Sequence, residues 1–217
     1  MQQVFTHFVA DTMYLGEIPV LTYRIEYPSF LSNCNLNAVR VINEYYSTLA
    51  EEKERYCRQT LYPRAAEGAK YIQDKSPPYN AYEYILTFHI PYNEGCILSL
   101  FMDEYIIQGG AHGGTLRTSQ TWNFLTGEQI ILRQFCRVYL SKCLSKETIL
   151  SEIQQQIEQG IGLPAEDFFE DYPELLVDKW NPESFYLEPD TIVIYYQQYD
   201  IAPYSTGIPE FRISQKF

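Results

Sequence analysis

Basic residues are scarce in this sequence. Its 217 residues include 16 Lys and Arg against 28 Asp and Glu, which gives a formal net charge of −12. A nucleic-acid-binding protein needs Lys and Arg to neutralise phosphates, and anionic membrane surfaces attract basic segments. The charge balance therefore argues against both of these partners. It favours encounter with a basic protein partner.

Clustered metal ligands are also lacking. The three histidines are His7, His89 and His112, and none is at helical ligand spacing. The five cysteines form no CxxC pair; they are Cys34, Cys57, Cys96, Cys136 and Cys143. Metal sites need grouped ligands, so the sequence predicts neither a metal site nor a cofactor. An odd cysteine count does not suit a secreted disulfide framework, and we expect reduced thiols.

Export and membrane signals are missing as well. The opening MQQVFTHFVADTM has no basic region followed by an apolar run, so it does not resemble a signal peptide. No stretch is long and apolar enough to span a membrane. As written, the chain is expected to be cytoplasmic. A chain trimmed of a membrane anchor would be extracytoplasmic and would look the same.

Tyrosine and phenylalanine, in contrast, are abundant, with 20 Tyr and 12 Phe. Hydrophobic periodicity places many of them on strands and helices. Apolar residues alternate between Ile18 and Tyr27, which predicts a half-buried strand after a first strand at residues 4–9. From Leu36 the apolar spacing becomes three and four, which predicts a helix to about Tyr62 with an interruption at Pro63. The side chains expected to be buried on this helix are Leu36, Val39, Tyr46 and Leu49.

The remaining elements follow a break at Ser76-Pro77-Pro78. This break divides the chain into predicted lobes at residues 1–78 and 79–217, which we expect to form one compact unit. Asn93-Glu94-Gly95 predicts a hairpin turn, and Ser145 can cap a helix that runs to Gln159. A shorter helix is predicted from Glu166 to Val177, and Pro189-Asp190 predicts a turn between two strands. This order predicts an α+β fold, with antiparallel sheets packed by helices.

The glycine-rich run QGGAHGGT at residues 108–115 contains the first candidate site. Four glycines in six residues indicate a bend that few other residues could make. His112 could act there as an acid, a base or a ligand, or it could hydrogen-bond a neighbouring loop and pin the bend. Gly110 and Gly113 beside it are candidate binding residues.

Two further clusters have both a functional and a structural interpretation. Acidic residues between Glu166 and Glu174 could pair for glycoside cleavage, but intervening aromatic residues make the solvated face of an amphipathic helix the favoured interpretation. Near the C-terminus an aromatic cluster could anchor a partner or seal the edge of a sheet. Its candidate binding residues are Tyr195, Tyr196, Tyr199 and Tyr204.

Several motifs in the second half resemble a known family. QGGAHGGT, the run from Trp122 to Gly127, and TIVIYYQQYDIAPYSTGIPEF at residues 191–211 resemble the RsiV-like C-terminal domain. The first lobe looks like the PdaC-type domain that usually precedes it. This family occurs in lysozyme-sensing anti-sigma factors and beside peptidoglycan deacetylases in bacteria. The resemblance implies an α+β pair without established catalysis, and a lysozyme-binding role in the anti-sigma factors.

Two functions from different classes remain open. The favoured prediction is a non-enzymatic binding module, with no catalytic residues, that recognises a basic protein such as lysozyme or a cell-wall glycan. The alternative is a hydrolase acting on a small or glycan substrate with His112 in its site. The histidine pair and the paired aspartates of the associated deacetylases are absent from this sequence, so deacetylase activity is not expected.

Overall fold

A computed structural model describes residues 1–72, 80–139 and 144–214. Within these ranges the chain has the predicted α+β composition, with a six-stranded sheet, a three-stranded sheet and a long helix. The predicted break at residues 76–78 lies outside the described residues. No described helix is long and apolar enough to cross a membrane.

The first two strands form a long antiparallel ribbon, β1 (Gln3–Leu15) and β2 (Ile18–Leu31). Both are longer than predicted. Strand β2 continues through Pro28, which the sequence suggested as its end. Proline cannot donate to a sheet ladder, but the pairing of β2 with its other neighbour extends only from Leu21 to Ile25. Pro28 lies beyond that ladder, so the missing donor removes no bond there.

The predicted long helix is present as α1 (Leu36–Tyr56), a π-helical turn (Cys57–Leu61) and α2 (Tyr62–Ile72). Val39 and Tyr46 are buried as expected. Leu49 is half-buried, and Leu36 is wrongly predicted, since 79% of it is exposed. Leu36 begins the helix directly after the capping residue and precedes the buried stripe, which starts at Ala38.

The π turn has a cause in the sequence. Pro63 has no N–H, and its ring would clash with the carbonyl group four residues earlier in an α-helix. The helix widens just before it, where the Tyr62 N–H donates to the Cys57 carbonyl oxygen. The predicted interruption is thus a local widening within a continuous helix. The buried residues across it are spaced by four: Cys57, Leu61, Ala65 and Ala69.

Four more strands complete the large sheet: β3 (Tyr82–Glu94), β4 (Ile97–Ile107), β5 (Gly114–Asn123) and β6 (Glu128–Gln129). The strands follow chain order, β1-β2-β3-β4-β5-β6. Gly95, at φ +54°, occupies the predicted hairpin turn. One pairing differs from the antiparallel sheet that the sequence predicted, because β2 and β3 are parallel. The long helix between them allows this, since parallel neighbours need a crossover.

The chain folds as two compact units, which interleave along the sequence. The first contains Gln2–Phe88 and Met102–Leu116, and the second contains His89–Phe101 and Arg117–Phe217 together with Met1. Strands β3, β4 and β5 therefore contribute residues to both units. The division into lobes at residues 1–78 and 79–217 stays a prediction.

The second unit contains a small antiparallel sheet of β7 (Phe185–Glu188), β8 (Thr191–Tyr195) and β9 (Glu210–Ser214). One face of this sheet packs on three helices, α3 (Leu132–Tyr139), α4 (Lys146–Glu158) and α5 (Tyr172–Asp178). The opposite face carries Tyr186, Val193 and Tyr195. Alternation along each strand separates these two sets of side chains.

The helix predictions in this unit have mixed outcomes. Helix α4 confirms its prediction: the Ser145 side chain accepts from the Thr148 N–H, and Ile149, Ile153 and Ile157 are buried. The helix predicted from Glu166 to Val177 is present only in its second half, since residues 165–167 form a 3₁₀ turn and α5 begins at Tyr172. Pro173 accounts for the late start, because proline fits the first turn of a helix but cannot donate within it.

Candidate functional site

The aromatic cluster near the C-terminus divides into buried and exposed members. Tyr195 and Tyr196 are each 2% exposed. The Tyr196 hydroxyl donates to the Leu176 carbonyl oxygen at 2.8 Å, and the Tyr195 hydroxyl is 3.1 Å from Ser119 Oγ. Burial, and secondarily the charge of Asp200, raises the pKa of Tyr196. These two side chains therefore support the fold, while Tyr199 and Tyr204 reach the surface.

The exposed members lie in what we call the tyrosine loop, residues 197–207. Tyr199 is 66% exposed and adopts φ +69°, a left-handed conformation that L-residues with bulky side chains rarely adopt. The Gln197 N–H donates to Asp200 Oδ2 at 3.0 Å, and the Asp200 N–H donates to the Gln197 carbonyl oxygen at 3.1 Å. This tight turn keeps the Tyr199 side chain pointing outward, although the left-handed backbone conformation of Tyr199 costs free energy.

A second segment, residues 165–171, packs beside the tyrosine loop. The Phe169 N–H donates to the Ile201 carbonyl oxygen at 3.1 Å, and the rings of Phe169 and Tyr199 meet edge to face at 5.4 Å. Thr206 Oγ1 donates to the Asp167 carbonyl oxygen at 3.3 Å. The sequence predicted these acidic residues on a helix, whereas the structure places them in an irregular segment joined to exposed tyrosines.

Together the two segments form an acidic aromatic surface. Its aromatic members are Tyr199, the 40%-exposed Tyr204 and the half-buried Phe169. Its exposed carboxylates belong to Glu166, Glu170 and Asp171. Tyrosine supplies contact area with little loss of side-chain freedom, and carboxylates attract cations. Such a surface suits a basic protein partner. We refer to it below as the acidic aromatic surface.

The base of the tyrosine loop is tied to β5 by a side-chain amide. Gln197 Nε2 donates to the Arg117 carbonyl oxygen at 2.7 Å, and the Arg117 N–H donates to Gln197 Oε1 at 2.9 Å. These two bonds imitate the pairing of a neighbouring strand. Sequence inspection missed both residues, because a single glutamine in QQYD carries no periodic signal.

Arg117 itself is the buried member of a polar network. Its guanidinium lies 3.9 Å from the centre of the Phe101 ring and 5.8 Å from that of Tyr195. Arg117 Nη1 also pairs with Glu210, which pairs in turn with Arg212. Arg212 binds the Glu188 carboxylate through two nitrogens, and these bonds raise the pKa of Arg212. Within the second unit, the network fixes β5 relative to the face of the small sheet that carries Tyr186, Val193 and Tyr195.

The glycine loop between β4 and β5 has a different structure from the tyrosine loop. Of its four glycines only Gly109 has positive φ, at +72°. A Cβ atom on Gly113 would lie 2.5 Å from the Tyr105 ring, whereas one on Gly110 or Gly114 would meet no crowding. His112 is exposed and makes further contacts within the chain. The pinning role of His112, and the binding roles of Gly110 and Gly113, stay predictions.

We expect alanine at Gly113 to lower the free energy of unfolding by about 1–2 kcal/mol, because the Tyr105 ring must move aside. Alanine at Gly109 should cost more than about 1 kcal/mol, since its φ is left-handed. Gly114 is the matched control, with open space and an ordinary φ, and its alanine variant should be neutral within about 0.5 kcal/mol. Urea unfolding of the three variants measures these values. Equal losses at Gly113 and Gly114 would contradict the steric explanation.

The cysteine prediction requires a correction. Cys34 and Cys96 are each disulfide-bonded, and Cys57 is a free, buried thiol. An odd count does not prevent pairing, since a disulfide depends on the approach of two sulfur atoms. Burial, with a contribution from the Glu104 carboxylate, raises the pKa of Cys57 to about 12. Cys57 is therefore a thiol at neutral pH and a poor nucleophile.

Metal-binding clusters are not found among the described residues: no group of three or more His, Cys, Asp and Glu side chains there could hold an ion. A groove of about 910 Å³ lies between α4 and β9 in the second unit. Its lining is polar and includes Gln155, Glu152 and Arg212. Gln156 Nε2 donates to the Arg212 carbonyl oxygen at 3.0 Å, so part of the β9 edge is already paired.

Comparison with known proteins divides the chain into two matched segments. Residues 16–115 match the family described as deacetylase PdaC, and residues 143–216 match a protein family of unknown function, DUF3298. A DUF3298 family member from Bacteroides fragilis has a crystal structure similar to this chain, with a TM-score of 0.71 and 18% identity over 98% of this chain and 90% of that chain. A DUF3298 family protein from Pseudomonas aeruginosa gives a TM-score of 0.60 and 15% identity over 99% and 90%. No curated protein matches the sequence.

Proposed function

We propose that this chain, which joins a PdaC-matching segment to a DUF3298-matching segment, is a binding module for a basic protein. The observation that carries the proposal is the exposed Tyr199, held outward at φ +69° beside acidic residues. Strained residues persist only where their surroundings enforce them, and they cluster at functional sites. Within the described residues the Tyr199 ring contacts one other ring, that of Phe169, and 66% of Tyr199 stays exposed for a partner.

Electrostatics favour a cationic partner on the same surface. The net charge of −12 attracts basic proteins over a distance comparable to the Debye length, and salt weakens the attraction. Glu166, Glu170 and Asp171 concentrate carboxylates around the exposed aromatic rings. Aromatic side chains commonly dominate the energy of an interface, while charges at its rim mainly set the association rate. A lysozyme of the c type is the first candidate, since the sequence resembles lysozyme-sensing proteins.

The disulfide-bonded state of Cys34 and Cys96 supports an oxidising compartment for this function. Disulfides persist in secreted and periplasmic proteins and are rare in the reducing cytosol. We therefore place the working form of the module outside the cytoplasm, in contrast to the compartment expected from the sequence as written. A lysozyme would be encountered in the same compartment.

Replacing Tyr199 with alanine should weaken binding to a c-type lysozyme by about 30-fold, since truncating a central aromatic anchor costs about 2 kcal/mol. Tyr14 is the matched control, because it is a 53%-exposed tyrosine in the other unit, and its alanine variant should bind as the parent does. Glu170→Gln should slow association and reduce its salt dependence. Titration calorimetry and stopped-flow mixing at low and physiological salt measure these effects.

Two outcomes would count against the proposal. Folded chain that releases no heat with lysozyme at either salt concentration would exclude this partner. Equal losses in the Tyr199 and Tyr14 variants would exclude this surface. A soluble peptidoglycan fragment serves as the third titrant, and saturable binding of the fragment without binding of lysozyme would make the module a glycan receptor.

A further inference from the structure

An apolar pocket lies at the start of α4 in the second unit, separate from the acidic aromatic surface. Its volume is about 300 Å³. Leu132 and Ile149 are its buried lining residues, and its other apolar lining residues are the half-buried Leu144 and Trp180 and the exposed Pro182. Ligand sites are typically concave and mostly apolar with a few polar groups, and this volume is at the small end of their range. The pocket suits a ligand with a compact apolar body.

Among the described residues that line this pocket, the charged ones are both basic. Arg133 and Lys146 line it, and both are exposed. Lys146 Nζ lies 6.0 Å from the centre of the Trp180 ring. Neither Arg133 nor Lys146 forms a salt bridge within the described part of the chain, although Asp and Glu outnumber Lys and Arg by 28 to 16. The positive charge of both side chains is therefore available to a ligand at the mouth of the pocket.

The remaining polar group at the pocket already has a partner within the protein. The Ser145 side chain accepts from the Thr148 N–H at 3.2 Å and caps α4. Recognition of a polar ligand group would therefore depend on Arg133 and Lys146. Arginine and lysine both bind carboxylates through charge-assisted hydrogen bonds, and arginine can do so with two parallel bonds.

We propose that this pocket binds a small amphipathic carboxylate. The apolar chain of the ligand enters between Trp180, Leu132 and Ile149, and the carboxylate stays at the mouth with Arg133 and Lys146. The two cations offset the repulsion that an anion meets near a chain of net charge −12. This ligand differs in class from the basic protein assigned to the acidic aromatic surface. The two proposals can therefore fail separately.

Decanoate, kept below its micelle concentration, is the probe, and decanol is its uncharged counterpart. The chain has two tryptophans, Trp180 at the pocket and Trp122, which is 4% exposed in the core. Decanoate should change the tryptophan fluorescence in a saturable manner, and the change should vanish in Trp180→Phe. A rise in the thermal midpoint with decanoate provides a second readout that needs no tryptophan.

Charge neutralisation tests the role of the cations. Arg133→Gln and Lys146→Gln should each raise the dissociation constant for decanoate about tenfold, which is about 1.4 kcal/mol, since each variant removes a charge-assisted hydrogen bond. The same variants should leave the weaker binding of decanol unchanged. Lys179→Gln is the matched control: Lys179 is exposed beside Trp180 but does not line the pocket. Equal affinity for decanoate and decanol, no saturable response, or an equal loss in the Lys179 variant would overturn the proposal.

Discussion

Replacing Arg117 with alanine should lower the free energy of unfolding by about 3 kcal/mol, the lower end of what breaking a buried ion pair costs. Only 10% of the Arg117 side chain is exposed, and it pairs with Glu210. The alanine variant would leave this carboxylate with Arg212, at 3.2 Å, as its only salt-bridge partner among the described residues. It would also remove the guanidinium that lies 3.9 Å from the Phe101 ring centre. The value stays at the lower end because Glu210 is partly exposed and keeps one partner.

Arg212 supplies the matched comparison in the same network. Its side chain is about half exposed, and exposed ion pairs contribute about 0–1 kcal/mol. Arg212→Ala should therefore cost about 1 kcal/mol or less. Arg117→Lys should recover part of the loss, because lysine keeps the charge but cannot stack as a planar fork. Urea unfolding, with the m-value checked for each variant, gives all three numbers. Similar losses for the two alanine variants would show that burial does not set the cost.

The second large effect is a loss of stability at alkaline pH. Burial is the main cause of a raised pKa at four tyrosines: Tyr23, Tyr84, Tyr186 and Tyr196. Cys57 has a raised pKa of about 12 for the same reason. In each case the folded protein holds the proton more tightly than the unfolded chain does, so the stabilisation is complete below the unfolded pKa. It is lost as the pH rises towards the folded pKa.

The size of the effect follows from proton linkage. One such group lowers the free energy of unfolding by about 1.4 kcal/mol per pH unit above its unfolded pKa, which is near 10 for tyrosine. Four tyrosines together therefore remove about 5 kcal/mol per pH unit. Domains are stable by only about 5–15 kcal/mol. We expect cooperative unfolding between about pH 10 and 12, followed by circular dichroism and by phenolate absorbance.

Tyr84 offers a clean variant for this test. Its hydroxyl is buried and has no hydrogen-bond partner within the described residues, although the Glu104 carboxylate contributes to its raised pKa. Tyr84→Phe should keep the free energy of unfolding at pH 7. At alkaline pH the variant releases one proton fewer on unfolding, so its free energy of unfolding should fall by about 1.4 kcal/mol less per pH unit. A slope unchanged in Tyr84→Phe would show that this hydroxyl does not contribute to alkaline unfolding.

Local sequence signals predicted much of the second unit. The spacing of Ile149, Ile153 and Ile157 after the cap at Ser145 fixed helix α4. Pro189-Asp190 identified the turn between β7 and β8, where Asp190 has φ +54°. Both features depend on residues close together in the chain. The parallel pairing of β2 with β3 depends on distant residues, and no local pattern distinguishes it from the predicted antiparallel arrangement.

The sequence indicated less well which residues form the candidate site. Tyr195, Tyr196, Tyr199 and Tyr204 looked equivalent as an aromatic run. Their burial differs because β8 ends at Tyr195 and the chain then turns between Gln197 and Asp200. The acidic segment joins this loop through backbone bonds such as that between Phe169 and Ile201, which sequence spacing does not reveal. Arg117 carried no motif, and only the fold brings it to Glu210 and Phe101.

The π turn at residues 57–61 lets this helix hold one residue more than a regular α-helix of the same rotational phase. A π turn accommodates about one residue more than an α turn. If all these residues formed regular α-helix instead, everything after the turn would rotate by about 100° around the helix axis. Ala69 would then leave the protein interior, and the exposed Arg64 would turn towards it. Deleting the exposed Gln59 would remove the extra residue and let the helix continue as regular α with its alanine face still buried, so the turn is the point at which this helix tolerates a change in length.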